Sequence, residues 1–240
     1  MDATMHFEIG GTEYDVSAPN ILQLFAVRRI WDAYYQGAPA RNSLKDVESI
    51  VDVGACVGTM TLAFAAIWPN AKILAIEAHP KSFEYLGRNC QNVQNVEAMC
   101  IAAGNKRERI RLAIPSREQR PSYPKYKLPL NVGMCSRYGQ SDDYFAEVEA
   151  APLDEIVTGP VDFIKIDVEG SELSVLEGAT ETISKWHPFL MIEVSDENQQ
   201  MAGASVPGLL TALCRMGYYT VSSFLGDPLF AHVDRPPYFR

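Results

Sequence analysis

Paired cysteines, clustered histidines, excess positive charge and long apolar runs are what this chain of 240 residues lacks. Its five cysteines, Cys56, Cys90, Cys100, Cys135 and Cys214, are scattered without CxxC spacing, and its four histidines are dispersed. Neither a zinc site nor a disulfide framework is indicated by that spacing, which fits the reduced thiols of a cytoplasmic protein. Lys and Arg number 21 against 30 Asp and Glu, a formal net charge of −9. Binding to nucleic acid or anionic lipid needs clustered cations, so neither partner is expected. No apolar run approaches the length of a membrane span, and the start, "MDATMHFEIGG", has no basic segment leading into an apolar one. Neither export nor membrane anchoring is expected. Internal repeats and low-complexity tracts are absent too.

What is present is a core-forming composition, 47% hydrophobic, in a length that suits one large α/β domain. The alternating runs "MHFEI" and "TEYDVSA" flank Gly10-Gly11, which supplies the positive φ of a tight hairpin turn. From Asn20 to Gly37 the apolar spacing is helical. Residues 1–40 therefore read as a hairpin and a covering helix, and 41–240 as the main body of a single compact domain. In that body strand-like runs at 49–53, 72–76, 97–101, 161–166, 189–194, 218–224 and 229–233 alternate with helical patterns at 59–68, 81–89, 170–185 and 205–216. Such alternation predicts a doubly wound, mostly parallel sheet with helices on both faces. Only "LGDP" separates the last two strands, too short for a crossover, so they should pair antiparallel. The stretch 115–140, rich in Pro, Tyr and basic residues, breaks the rhythm and reads as a lid-like insert.

Two constellations carry chemistry. In "VDVGACVGTMTLAF" the first strand runs into a glycine turn, where such folds bind ligands. A dinucleotide fingerprint wants G-x-G-x-x-G, but Cys56 takes the middle glycine's place and no phosphate cradle forms. Glu77 ends the second strand 19 residues past Gly58, a spacing suited to an acid that takes both hydroxyls of a ribose. With Asp52 directed at the turn, a nucleoside-bearing cationic cofactor, S-adenosylmethionine, fits better than NAD.

The second is "VDFIKIDVEGSELSVLEGA". Asp167 and Glu169 sit at the switch from the fourth strand to its helix, and the strand period aims Lys165 and Asp167 the same way. Buried charges are costly unless paired or working, so Lys165 is a candidate catalytic residue with Asp167, Glu169 and Glu193, a purely structural pair with a carboxylate being the alternative. Glu193, in "LMIEV", should reach the same rim. Asp167 or Glu169 is the candidate base for a substrate hydroxyl, with Glu193 orienting that hydroxyl. The three acids are also hard oxygen ligands, so a divalent ion would sit there if one is used; none is expected. His79, next to the ribose acid, should lie on the cofactor side, as a surface histidine before Pro80 more than as a base.

The blocks "VDVGACVGTMT", "AIEAHPKSFEYLGRNCQN", "NVEAMCIAAG", "APLDEIV", "VDFIKIDVEGSELSVLEGA" and "MIEV" together resemble the FkbM-type S-adenosylmethionine-dependent methyltransferases over roughly residues 50–194. The resemblance implies a class I methyltransferase fold: a Rossmann-like three-layer sandwich around a seven-stranded, mostly parallel sheet whose last strand is antiparallel. It implies O-methylation of a small molecule or sugar. By position it places Asp52, Gly54, Ala55 and Gly58 along the methionine part of the cofactor, with Thr59 beside them, Glu77 at the ribose, Ala78 and Ala102 about the adenine, and Asp167 at the cofactor as well as the substrate. Where the family more often has proline directly after the acid, this chain has "EAHP".

In the insert, Arg120, Tyr123, Lys125 and Arg137 belong to a local basic and aromatic exception in an acidic chain, and could select an anionic or sugar-like acceptor. An NAD-linked oxidoreductase and a cofactor-binding module without activity are the competing readings. The oligomeric state is not legible.

Overall fold

The computed structural model describes residues 3–9, 12–19, 44, 47–115, 119, 132–140, 145–224 and 227–237. The helix expected from Asn20 to Gly37 and most of the 115–140 insert, with Arg120, Tyr123 and Lys125, lie outside the described residues.

The chain opens with an antiparallel hairpin, β1 (Ala3–Ile9) and β2 (Thr12–Ala18). Then β3 (Ser49–Val53), α1 (Thr59–Ile67), β4 (Lys72–Ile76), α2 (Pro80–Cys90) and β5 (Val96–Met99) form two consecutive βαβ units. A small second sheet follows, β6 (Ala102–Ala103), β7 (Glu108–Ala113) and β8 (Phe145–Ala151). The remainder runs α3 (Leu153–Ile156), β9 (Phe163–Ile166), α4 (Glu172–Glu177), α5 (Thr180–Trp186), β10 (Phe189–Ile192), α6 (Asp196–Met201), α7 (Val206–Arg215), β11 (Tyr218–Phe224) and β12 (Asp227–His232).

The main sheet has the strand order β11-β12-β10-β9-β3-β4-β5. Strands β10, β9, β3, β4 and β5 are parallel, while β12 is antiparallel to both its neighbours, as the short last connection requires. The order reverses between β3 and β9, which opens a crevice beyond their carboxyl ends. Strands β9 and β10 are buried at every position because apolar layers cover both faces. Val53, Ile166, Leu190 and Ile192 point into one layer with Leu176 and Leu209. Ile50, Phe163, Phe189 and Met191 point into the other with Phe64 of α1. There the Phe64 and Phe163 rings meet edge-on at 5.3 Å, a pair worth about 1 kcal/mol beyond its buried area. The hairpin is tied to this body by Asn89 of α2, which accepts from Ser17 N at 2.8 Å and donates to Ser17 O and Val57 O.

Three features depart from the sequence reading. The helix expected over 170–185 is broken into α4 and α5 at Gly178 and Ala179. A Cβ on Gly178 would lie 1.9 Å from Gly104 O, so the break admits the chain that follows β6. The second sheet was not anticipated, because β7 and β8 are far apart in sequence and flank the insert. The third strand ends at Met99 where a run to Ile101 was expected.

Candidate functional site

A cavity of about 260 Å³ opens at the carboxyl ends of β3, β4 and β9. Its floor is the sheet crevice; its opposite wall comes from β6, β7 and the segment about Met134, Cys135 and Arg137. Gly54, Ala55, Thr59, Glu77, Ala78 and Ala102 line it on one side. Lys165, Asp167 and Glu169 line it on the other. Asp52, Gly58 and Glu193 are not among the residues that line it, and Glu193 stands behind the rim.

The glycines of the first turn serve the packing of the protein on itself. Gly54 has φ 79°, and a Cβ there would lie 1.8 Å from Asp167 O, so the end of β3 passes directly against the end of β9. Gly58, at φ 90°, has Leu86 Cδ1 of α2 where a side chain would be. Cys56, in the place of the fingerprint's middle glycine, still adopts the left-handed φ of 52° that glycine favours. Its N–H is thereby aimed at Glu77 Oε2, 2.8 Å away.

Glu77 is nearly buried and its other oxygen, Oε1, accepts from His79 N at 2.7 Å. Burial raises its pKa from the ordinary carboxylate range to about 7, although these two amides favour the anion. His79 lies on the cavity wall and is buried, not at the surface as expected before Pro80; it N-caps α2 by accepting from Lys81 N, and burial lowers its pKa.

Beneath the cavity floor a buried ammonium joins the two constellations. Lys165 Nζ lies 3.2 Å from Asp167 Oδ2 and 3.7 Å from Asp52 Oδ1. Asp52, wholly buried, accepts from Thr61 Oγ1 at 2.6 Å. Burial alone would lower the Lys165 pKa, but Asp167 and Asp52 outweigh it and the ammonium stands above the ordinary lysine value. The same burial pushes Asp52 upward. A Lys165–carboxylate pair is thus present, with Asp52 anchoring it from below and Asp167, about a third exposed, presenting its carboxylate to the cavity.

The turn from β9 to α4 is held from three sides. Glu169 has φ 55°, a strained conformation for a glutamate. Ser136 Oγ donates to Glu169 O at 2.7 Å. The buried carboxylate of Glu172 accepts from Val168 N and Gly170 N, and from Gln199 Nε2 at 2.7 Å. The Asn198 amide donates to both Glu169 Oε2, 3.1 Å, and Glu193 Oε2, 2.7 Å. Burial, with Asp167 and Glu169 close by, raises the Glu193 pKa to about 9, which favours its neutral form. Asn198 and Gln199 were not singled out in the sequence; the only local signal is the Ser195 N-cap that starts their short helix.

Of the insert residues proposed to select the acceptor, Arg137 lies on the cavity wall, paired with Glu108 at 2.9 Å. Its segment is docked on β7 by two 2.9 Å bonds between Ser136 and Ala113. Asp167, Glu169 and Glu193 do not converge as metal ligands. Among the described residues, the set of three whose ligand atoms lie within 4.8 Å of one another is His187, His232 and Asp234. No helix among the described residues is long and apolar enough to cross a membrane.

The methyltransferase FkbM domain matches residues 52–219. Methyltransferase 1 of Beauveria bassiana (strain ARSEF 2860) is 26% identical over 188 residues, 72% of this chain and 73% of that protein. Methyltransferase sdnD of Sordaria araneosa is 27% identical over 156 residues, 55% of this chain and 60% of that protein. Among solved structures, methyltransferase FkbM from Methylobacillus flagellatus KT superposes with a TM-score of 0.52 at 19% identity over 82% of this chain. The match spans 47% of that longer chain and speaks to fold alone. Its matched region holds the glycine turn, Glu77, the Lys165–Asp167 pair and Glu193, and the chain belongs to the FkbM methyltransferase family.

Proposed function

We propose that the cavity takes S-adenosylmethionine and that the chain methylates an oxygen, a hydroxyl or carboxylate, of a small molecule or sugar. The observation that carries this is a single cavity lined at one end by the nearly buried Glu77 and at the other by the Lys165-held Asp167. The residues present fit the cofactor. Glu77 offers two carboxylate oxygens to a ribose diol, Ala78, Ile101 and Ala102 give a flat apolar slot for a purine, and Gly54, Ala55 and Thr59 leave room for the methionine part. When bound, the cofactor supplies a methyl group on a positively charged sulfur, open to in-line displacement.

The chain's own part is positioning and one proton. Asp167 accepts the proton of the acceptor oxygen, and Lys165, braced by Asp52, fixes the direction of that carboxylate. Glu169 stands beside it on the cavity wall, and Glu193, behind the rim, helps orient the acceptor through the Asn198 amide that it shares with Glu169. Arg137 favours an anionic or sugar-like acceptor, and Arg120, Tyr123 and Lys125 of the insert belong to the same proposal. Methylation without a divalent ion is part of it.

Calorimetry with S-adenosylmethionine and with its demethylated product is the test. One binding site for each is expected, and mass spectrometry of the purified protein should find one of them bound. Absence of heat with both would end this reading.

A further inference from the structure

We propose that His187, His232 and Asp234 form a zinc-class metal site at the edge of the sheet opposite the cavity. His187 caps α5 just before β10 begins, and His232 ends β12, so both stand where the parallel strands start. One ligand atom from each of the three residues lies within 4.8 Å of the others. Two imidazoles and a carboxylate suit zinc and its neighbours in the first transition series and suit magnesium or calcium poorly.

The surroundings fix two of the ligands. A Cβ on Gly217 would lie 2.5 Å from His232 Nε2, so glycine leaves room for that edge of the ring. The Tyr218 ring packs against it edge-on at 5.2 Å. That turns Nδ1 toward Asp234, whose Oδ2 is 3.6 Å away. Two ligands of a tetrahedral zinc stand about 3.4 Å apart, so an ion bridging Nδ1 and Oδ2 needs little movement. Nδ1 accepts from Asp234 N at 3.1 Å, so its one in-plane lone pair faces Asp234 and a metal takes it in place of that N–H. The Asp234 side chain is 70% exposed, which gives an ion a path from solvent.

His187 is the ligand that must move. Its backbone is held at φ 45°, with its N–H on Ile183 O, and its ring is stacked on His232 at 3.7 Å and 8°. Parallel rings cannot aim in-plane lone pairs at one ion, so the His187 ring turns out of the stack on binding. The ion then ties the end of α5 to the end of β12, with water as the fourth ligand. Its role is structural, remote from methyl transfer, and its test does not depend on the proposed activity.

The probe is Zn²⁺ itself, competed against a chromogenic chelator with the full chain. One equivalent should bind, and it should raise the midpoint of thermal unfolding. His187→Asn and Asp234→Asn should each weaken binding at least tenfold and abolish the thermal shift, while their unfolding in EDTA stays cooperative. His6, paired with Asp15 and near Glu13 on the hairpin, is another place among the described residues where a zinc ion could settle, so His6→Ala is the control and should bind as the parent does. No stoichiometric Zn²⁺ on the parent chain, undiminished binding by both site variants, or loss of binding in His6→Ala would each overturn the proposal.

Discussion

In the proposed function Glu77 and Asp167 divide the labour of the cavity, and each role has a distinct signature. A ribose diol donates hydrogen bonds, so Glu77 must be ionised to accept both. With its pKa near 7, cofactor affinity should fall as pH drops below neutrality, by roughly tenfold at one unit below that value. Calorimetric titrations between pH 8 and pH 6 measure this, and a flat profile would contradict the ribose role. Glu77→Gln should bind more weakly at pH 8 and lose the pH dependence. Asp167→Asn should lower turnover by about a hundredfold or more, the range for losing a general base, with cofactor affinity changed only a few-fold. Full activity in that variant would remove Asp167 from the chemistry.

Turns, more than strands, place these side chains. The turn after β3 and the turn after β9 abut through Gly54, where an added methyl group meets Asp167 O at 1.8 Å while φ is 79°. Gly54→Ala should cost about 3 kcal/mol or more in chemical denaturation, because clash and left-handed strain act together. Gly87, inside α2, has nothing within 4 Å of the same position. Gly87→Ala should therefore stabilise by about 0.5–1 kcal/mol, since helix propensity acts unopposed. Equal effects from the two substitutions would refute the close approach of the turns. The left-handed Glu169 and its ties to Ser136 and Asn198 follow the same logic, a strained residue held because its neighbours fix it from several elements.

Across the whole molecule the buried carboxylates dominate the response to pH. Burial, foremost, raises Asp227 to about 6, Glu77 to about 7 and Glu193 to about 9, from ordinary values of 3.8 and 4.5. Folded, they bind protons more tightly than unfolded. The stability they contribute is complete below those ordinary values and is lost as pH climbs through the folded ones. His79, lowered by burial, acts in the opposite sense but only below its ordinary 6.5. The urea midpoint of the ligand-free protein should therefore fall between pH 7 and pH 9.5, and a rise over that window would contradict the burial of Glu193. The sequence by itself determined the parallel strands, the antiparallel last pair, the glycine turn and the spacing to Glu77, because strand period, short connections and turn residues act over a few positions. That Lys165 and Asp167 point the same way was legible for the same local reason. Only the tertiary structure decided that Asp52 braces Lys165 beneath the cavity instead of facing it. It alone brought β6 and β7 over the cavity, broke the helix at Gly178, and carried Asn198 to two glutamates. Burial, proton affinity and ligand access depend on what distant segments pack against a residue, and no local pattern encodes that.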